Sequence, residues 1–230
     1  MGKTILLIGG SYGIGFEMAK ALHTKHTVYI ASRTKEGLHG LNVNHITFDA
    51  TSDSLEASQL PDGIDGFAYC PGSITLKPLK MLSMEVFREE MELNFFSLVN
   101  VVKTIMPKMS EGASMVFFST VAVGTGMPFH TSIAAAKGAI EGFAKSLAAE
   151  SAPKVRVNCI APSLVDTPLA GRLLSNDKKR EFMSQRHPLK RVGNTTDIAN
   201  LAVFLLSDKS TWVTGQILGV DGGMSTLNIS

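Results

Sequence analysis

Short apolar runs alternate with amphipathic stretches along this chain. Residues 4–8 (Thr-Ile-Leu-Leu-Ile) form a run of the kind that makes a strand buried on both faces. Comparable runs fall at 28–31, 46–48, 65–70, 114–119, 155–160 and 216–220. Between them, apolar residues recur at helical spacing near 16–25, 53–59, 84–109, 132–151 and 195–207. This alternation predicts an α/β fold: one doubly wound domain over 1–230, with a seven-stranded parallel sheet and helices on both faces. In such sheets, ligands sit at the carboxyl ends of the strands, where the strand order reverses. Residues 169–190 break the rhythm as a polar insertion, expected to form a lid or pocket wall. Its Leu169, Leu173, Leu174, Phe182 and Met183 would make an apolar stripe in a helix, facing either the cleft or the lid's own core.

The first strand runs into Gly9-Gly10-Ser11-Tyr12-Gly13-Ile14-Gly15, and a helical pattern follows at once. A glycine turn between strand and helix is an anion site, because its amides and the helix dipole both favour negative charge. Glycines let the backbone turn tightly and approach a pyrophosphate closely. The turn therefore points to a bound dinucleotide, with Gly9, Ser11, Tyr12, Gly13, Ile14 and Gly15 around it. At the end of the second strand, where an acidic residue would hold ribose hydroxyls, stand Ser32 and Arg33. An Arg pairs with a 2′-phosphate that a carboxylate would repel, so NADP(H) is favoured, with NAD(H) still possible. Asp49 after the third strand either accepts from the adenine amine or caps a following helix.

Composition narrows the class. The 230 residues are 44% hydrophobic with a net charge of +2, enough for a substantial core and without a nucleic-acid face. Lys178, Lys179 and Arg180 form the only basic cluster, read as a solvated helix surface. Cys70 and Cys159 lie far apart, and His23, His26, His39, His45, His130 and His187 show no ligand spacing, so no metal is implied. The first strand leaves no room for a signal peptide, and no apolar run approaches a membrane span of ~20 residues; a cytoplasmic protein is expected.

These segments together resemble the short-chain dehydrogenase/reductase family over essentially the whole chain. Gly9, Gly13 and Gly15 match its glycine motif, and Asp49-Ala50 its adenine-contacting pair. Asn94 in Glu92-Leu93-Asn94-Phe95-Phe96 matches the helix Asn that keeps a water beside the catalytic Lys, and Lys137 in Ala136-Lys137-Gly138-Ala139 matches that Lys. Phe118-Ser119-Thr120 matches the strand end that carries the catalytic Ser, with Thr120 at the usual spacing and Ser119 the alternative. Ala161-Pro162-Ser163, Val165 and Thr167-Pro168 resemble the loop around the nicotinamide; Val213-Thr214-Gly215-Gln216 and Val220-Asp221-Gly222-Gly223 resemble the last strand and its exit. The resemblance implies a Rossmann fold, a nicotinamide coenzyme also touching Gly72 and Lys137, and a homotetramer or homodimer paired through the helices at 84–109 and 132–151.

Two departures bear on chemistry. The family's Asn-Asn-Ala-Gly reads Tyr69-Cys70-Pro71-Gly72, and its acid, a Tyr four residues before the Lys, reads Ile133. Ile133 has no proton to give, so another group must act: His130, a hydroxyl of Thr131 or Ser132 (unless Ser132 caps the helix), or water onto carbon if the substrate is a conjugated C=C. In some enoyl reductases the Tyr stands seven residues before the Lys, and His130 holds that place here. Tyr12 and Tyr69 belong to cofactor turns. The reading is an NADP(H)-dependent oxidoreductase that reduces a carbonyl or conjugated enoyl group of a medium-sized apolar small molecule. The pocket would be lined by Val121, Val123, Met127 and Phe129, with Arg172, Lys190 and Arg191 available to a carrier or coenzyme A. A non-catalytic NADP(H)-binding sensor or assembly partner is the alternative.

Overall fold

A computed structural model describes residues 2–228. Seven strands run in chain order: β1 (Thr4–Ile8), β2 (Thr27–Ser32), β3 (Asn44–Thr47), β4 (Ile64–Tyr69), β5 (Met109–Phe118), β6 (Val155–Pro162) and β7 (Ile217–Val220). All pairings are parallel, in the order β3-β2-β1-β4-β5-β6-β7. The order reverses between β1 and β4, which opens a crevice at their carboxyl ends beside Ile8 and Tyr69. The seven apolar runs thus become the seven strands of one doubly wound sheet.

The main helices are α1 (Gly13–Leu22), α2 (Met84–Met91), α3 (Ser97–Ile105), α4 (Ala122–Thr125), α5 (Thr131–Ser151), α6 (Asp177–Gln185) and α7 (Thr195–Leu206). One face of the sheet is covered by α3 and α5, through Leu98, Val101, Val102 and Ile105 of the first and Ile140, Ala144, Leu147 and Ala148 of the second. The other is covered by α1 and α7, with Met18, Leu22, Ile198, Ala202 and Leu205 packed on Ile5, Leu7 and Val28. Burying each Leu or Ile contributes roughly 1.5–3 kcal/mol, so both faces are held mainly by these apolar layers. Arg156 reaches across from β6 and donates to the carbonyls of Leu205 (3.0 Å), Ser207 (3.3 Å) and Val213 (3.1 Å), closing the end of α7 with a cation where the helix dipole favours one.

The structure corrects several expectations. Residues 53–59 hold only the short turn Ala57–Gln59. Leu55 and Leu60 are both buried there; five residues apart on a helix they would stand about 140° apart, so an irregular path lets both reach the core. Asp49 therefore caps no helix; its carboxylate accepts from the amide and hydroxyl of Thr51. The stretch at 84–109 is α2 and α3 joined by a wide π-helical turn, Glu92–Phe96. The insertion contains α6, but its stripe is divided. Leu174 is buried against Ala170 and Val192, while Phe182 is 67% exposed. Among the described residues, no helix is long and apolar enough to cross a membrane.

Candidate active site

The glycine turn wraps the start of α1 as its residue types require. Gly9 sits at φ 79° and Gly13 at φ 63°, backbone settings that L side chains rarely adopt. At Gly15 an added Cβ would lie 2.3 Å from the carbonyl oxygen of Gly9, so only glycine lets the helix start under the turn. Beside this turn runs a groove of about 250 Å³ lined by Gly9, Ser11, Tyr12, Gly13, Ile14, Gly15, Ser32, Arg33, Asp49, Ala50, Gly72 and Thr167. It brings together the expected dinucleotide contacts from four strand ends, and its bare backbone fits a pyrophosphate. The Ser32 hydroxyl is committed to the Thr34 carbonyl (2.8 Å), whereas Arg33 is exposed and forms no ion pair among the described residues. Arg33 still acts on Asp49, whose carboxyl is held below its usual range chiefly by its hydrogen bonds to Thr51.

A second cavity of about 220 Å³ adjoins the groove, and the two share Ile14, Cys70, Gly72, Thr167 and Leu169 as walls. Its lining is mostly apolar and includes Val121, Met127, Ile133, Leu173 and Met183, with Ser119, Thr120, His130 and Lys137 on the polar side and Pro162 and Val165 on the β6 side. Val123 and Phe129, expected in this wall, are absent from it; Val123 packs toward Gly138 and Phe129 is 54% exposed. Phe182 borders only a separate surface hollow. Of the expected basic contacts, Arg191 is paired with Asp197 at 2.6 Å and Lys190 donates to the Gln185 carbonyl.

Lys137 lies in α5, one turn after Ile133, and donates from Nζ to the Phe118 carbonyl (2.9 Å). Its burial pushes its pKa down to about 8, because desolvation penalises the ammonium. Thr120 accepts at Oγ1 from the Ala122 amide (3.3 Å), which leaves its hydroxyl proton available. Ser119 lines the pocket, but its hydroxyl is committed, donating to Glu141 Oε1 (2.6 Å). His130 donates from Nδ1 to the Pro128 carbonyl (2.8 Å), leaving Nε2 as its unengaged ring atom. Phe129, immediately before it, has φ 71°, a strained setting for a bulky residue that sets the entry of the chain into α5. Ser132 does not cap α5; its Oγ is buried without a partner. Tyr69 is buried with its hydroxyl held by the Leu93 carbonyl and Ser97, and burial raises its pKa; no tyrosine lines the pocket among the described residues. Cys70 and Cys159 stay thiols, pushed up to about 12 by burial.

Asn94 does not line either cavity. It lies behind Gly72, fully buried in the π-helical turn, and a Cβ added to Gly72 would stand 3.3 Å from both Asn94 Oδ1 and Lys137 Nζ. A wide turn of this type is frequent at functional sites. Two features here are not foreseen from the sequence: the burial of Glu90 and the contact between Ser163 and His187. Glu90, 3% exposed, receives Asn94 Nδ2 (3.2 Å) and the Ser73 hydroxyl. Ser163 and His187 stand 2.8 Å apart in the pocket wall, with His187 Nδ1 donating to the Met183 carbonyl. Glu90 looks like one more charge in Arg88-Glu89-Glu90, yet it is the residue that α2 buries.

Residues 9–225 match the family described as Enoyl-(Acyl carrier protein) reductase. The 3-oxoacyl-(acyl-carrier-protein) reductase FabG of Chlamydia trachomatis is 32% identical over 97% of both chains. The peroxisomal 2,4-dienoyl-CoA reductase SPS19 of Saccharomyces cerevisiae is 34% identical over 62% of this chain and 50% of its own. A crystal structure of a short chain dehydrogenase family protein from Francisella tularensis superposes with a TM-score of 0.90 at 27% identity, covering 99% of this chain and 100% of that one. A family match over residues 9–225 and relatives aligned over almost the whole chain show that it belongs to the short-chain dehydrogenase/reductase family of oxidoreductases.

Proposed function

We propose that this protein is an NADP(H)-preferring oxidoreductase that reduces a carbonyl or conjugated enoyl group on a medium-sized apolar substrate, with a proton donor other than tyrosine. The observation that carries the reading is the junction of the two cavities. A polar groove built for a dinucleotide opens onto an apolar pocket, with Thr120 and Lys137 in the pocket wall. The amides of Gly9 to Gly15 would take the pyrophosphate, Arg33 the 2′-phosphate and Asp49 the adenine amine. Lys137 would hold the ribose hydroxyls of the nicotinamide half, bracketed by Pro162, Val165 and Thr167. When bound, the reduced coenzyme supplies a hydride.

The protein's own residues do the rest. Thr120 donates its hydroxyl proton to the substrate oxygen and orients it. His130 gives the proton from Nε2 when both ring nitrogens carry one, the Nδ1 proton staying on the Pro128 carbonyl and the ring returning to neutral. Ile133 takes the place of the phenol and keeps that side of the pocket dry. A positioned acid contributes ~10²- to 10⁴-fold. Residues 169–190 close over the pocket through Leu169, Leu173 and Met183. The relatives' names, 3-oxoacyl and 2,4-dienoyl reductases, support both substrate types. The exposed Phe96, on the turn between α2 and α3, supports pairing of these helices into a homotetramer or dimer.

Titration with NADPH and NADH by fluorescence, followed by oxidation assays against apolar ketones, 3-oxoacyl thioesters and enoyl thioesters, tests the reading. Tighter NADPH binding with turnover of at least one class is expected, and His130→Gln lowers kcat by roughly 100-fold with binding kept. Binding without oxidation across the panel overturns the enzyme in favour of a coenzyme sensor.

A further inference from the structure

The catalytic corner contains a buried carboxylate that the mechanism above does not use. Glu90 lies near the end of α2, 3% exposed, and its Oε1 has no partner. Isolating a carboxylate from water costs several kcal/mol unless a nearby positive charge offsets it. Two further observations converge on the same spot. Asn94 Nδ2 donates to the Glu90 carbonyl (2.8 Å), to Glu90 Oε2 (3.2 Å) and to the Ser73 hydroxyl oxygen (2.9 Å). Asn94 Oδ1, also buried, has no partner and faces the gap beside Gly72 that Lys137 Nζ also borders. A carbonyl and a carboxylate only accept, so the amide must present its nitrogen to Glu90 and its oxygen to the lysine side.

We propose that Glu90 is a positioning residue for this active site: its carboxylate fixes the acceptor face of Asn94 toward Lys137 and supplies the buried negative charge that keeps Lys137 an ammonium. This rests on the reading of Lys137 as the lysine that holds the coenzyme.

The surroundings leave that task to Glu90. The groups acting on Lys137 are Cys159 of β6, Cys70 at the exit of β4 and Glu90 of α2. Both thiols stay protonated at neutral pH, since burial pushes each up to about 12. Glu141 of α5 is engaged by Ser119. Among the described residues, no carboxylate lies within hydrogen-bond distance of Lys137 Nζ, which donates to the neutral Phe118 carbonyl. In an enzyme with a phenol at position 133, that group would stand one turn from the lysine. Here an aliphatic side chain stands there, and the counter-charge comes instead from behind the lysine. Ser73 completes the arrangement, since its hydroxyl bridges Asn94 and Glu90 at the edge of the pocket.

The sign of the effect is fixed. Desolvation lowers the Lys137 pKa to about 8 and Glu90 opposes that shift. Removing the Glu90 charge lowers it further, so the ammonium is lost at a lower pH. The test is a titration of the ligand-free protein carrying ¹³C-labelled lysine and glutamate, followed by NMR at the Lys137 Cε and the Glu90 Cδ. In the unmodified chain the Glu90 signal is expected to step at the pH where Lys137 titrates. Glu90→Gln is expected to lower the Lys137 midpoint by about one unit or more, and Glu90→Asp to restore most of it. The alkaline limb of kcat should move with the NMR midpoint while the Kd for NADPH at pH 6.5 changes by less than about threefold. A Glu90 signal flat through the Lys137 transition overturns the proposal even if the Gln variant fails to fold, and so does a variant midpoint equal to the original. Coupling seen by NMR in a protein that turns over no substrate leaves this charge pair standing and sinks the enzyme reading alone.

Discussion

The coenzyme groove and the apolar pocket share five wall residues but are built on opposite terms. The groove is shaped by main chain. Its glycines are needed where a Cβ would strike another carbonyl or where φ is positive, and four strand ends fix it against the sheet. The pocket draws its lining from the segments after β4 and β5, from α5, from the loop after β6 and from the 169–190 insertion, and most of those residues are apolar. A groove made of backbone tolerates almost no added volume but is indifferent to most chemistry. A pocket made of side chains accepts changes in size and is sensitive to which proton-bearing group stands where.

That contrast breaks most sharply at Gly15. Gly15→Val forces a Cβ into the Gly9 carbonyl, so the turn must open. NADPH affinity should fall by roughly 100-fold, the equivalent of about two charge-assisted hydrogen bonds, with melting temperature lowered as well. Fluorescence titration and a thermal melt read both; unchanged affinity would mean that the turn is not what grips the coenzyme. Next in size, Ile133→Tyr places a phenol one helical turn from Lys137 and inside the pocket. Ketone reduction should rise by about tenfold or more in kcat/KM, because an acid near the lysine is restored. No gain would show that the acid is not what limits this site. The smallest effect is expected at Phe182→Ala on the outer face of α6. Stability should stay within about 0.5 kcal/mol and turnover within about twofold. A larger loss of turnover would place that face in the substrate's path after all.

The same division explains what could be read from residues alone. Gly9, Gly13 and Gly15 are legible because a backbone requirement admits only one residue type. The inner strands β1, β4 and β6 are legible because burial on both faces demands largely apolar runs. The turn at 57–59 was hidden because the spacing near 53–59 suggests a helix, whereas Leu55 and Leu60 both reach inward by an irregular route. Phe182 was misread for the same reason, since helical spacing does not say which side of α6 meets the protein. Glu90 was invisible, because a carboxylate in a charged run reads as surface until the phase of the helix is known. His130 and Thr120 were placed near the pocket by spacing, and their hydrogen bonds supply what spacing could not: which atom of each is still uncommitted.

The wide turn at Glu92–Phe96 carries a consequence for how this stretch tolerates length changes. It holds one residue more than a regular coil of the same rise. Deleting a residue between Leu93 and Ser97 would let the flanking helices join as one straight rod and regain ordinary backbone bonding. The helices on either side would keep their phase, since the residue removed is the extra one, but Asn94 would lose the wide turn that seats it behind Gly72 between Glu90 and the Lys137 corner. A shortened chain of this kind would be a better helix and a poorer enzyme.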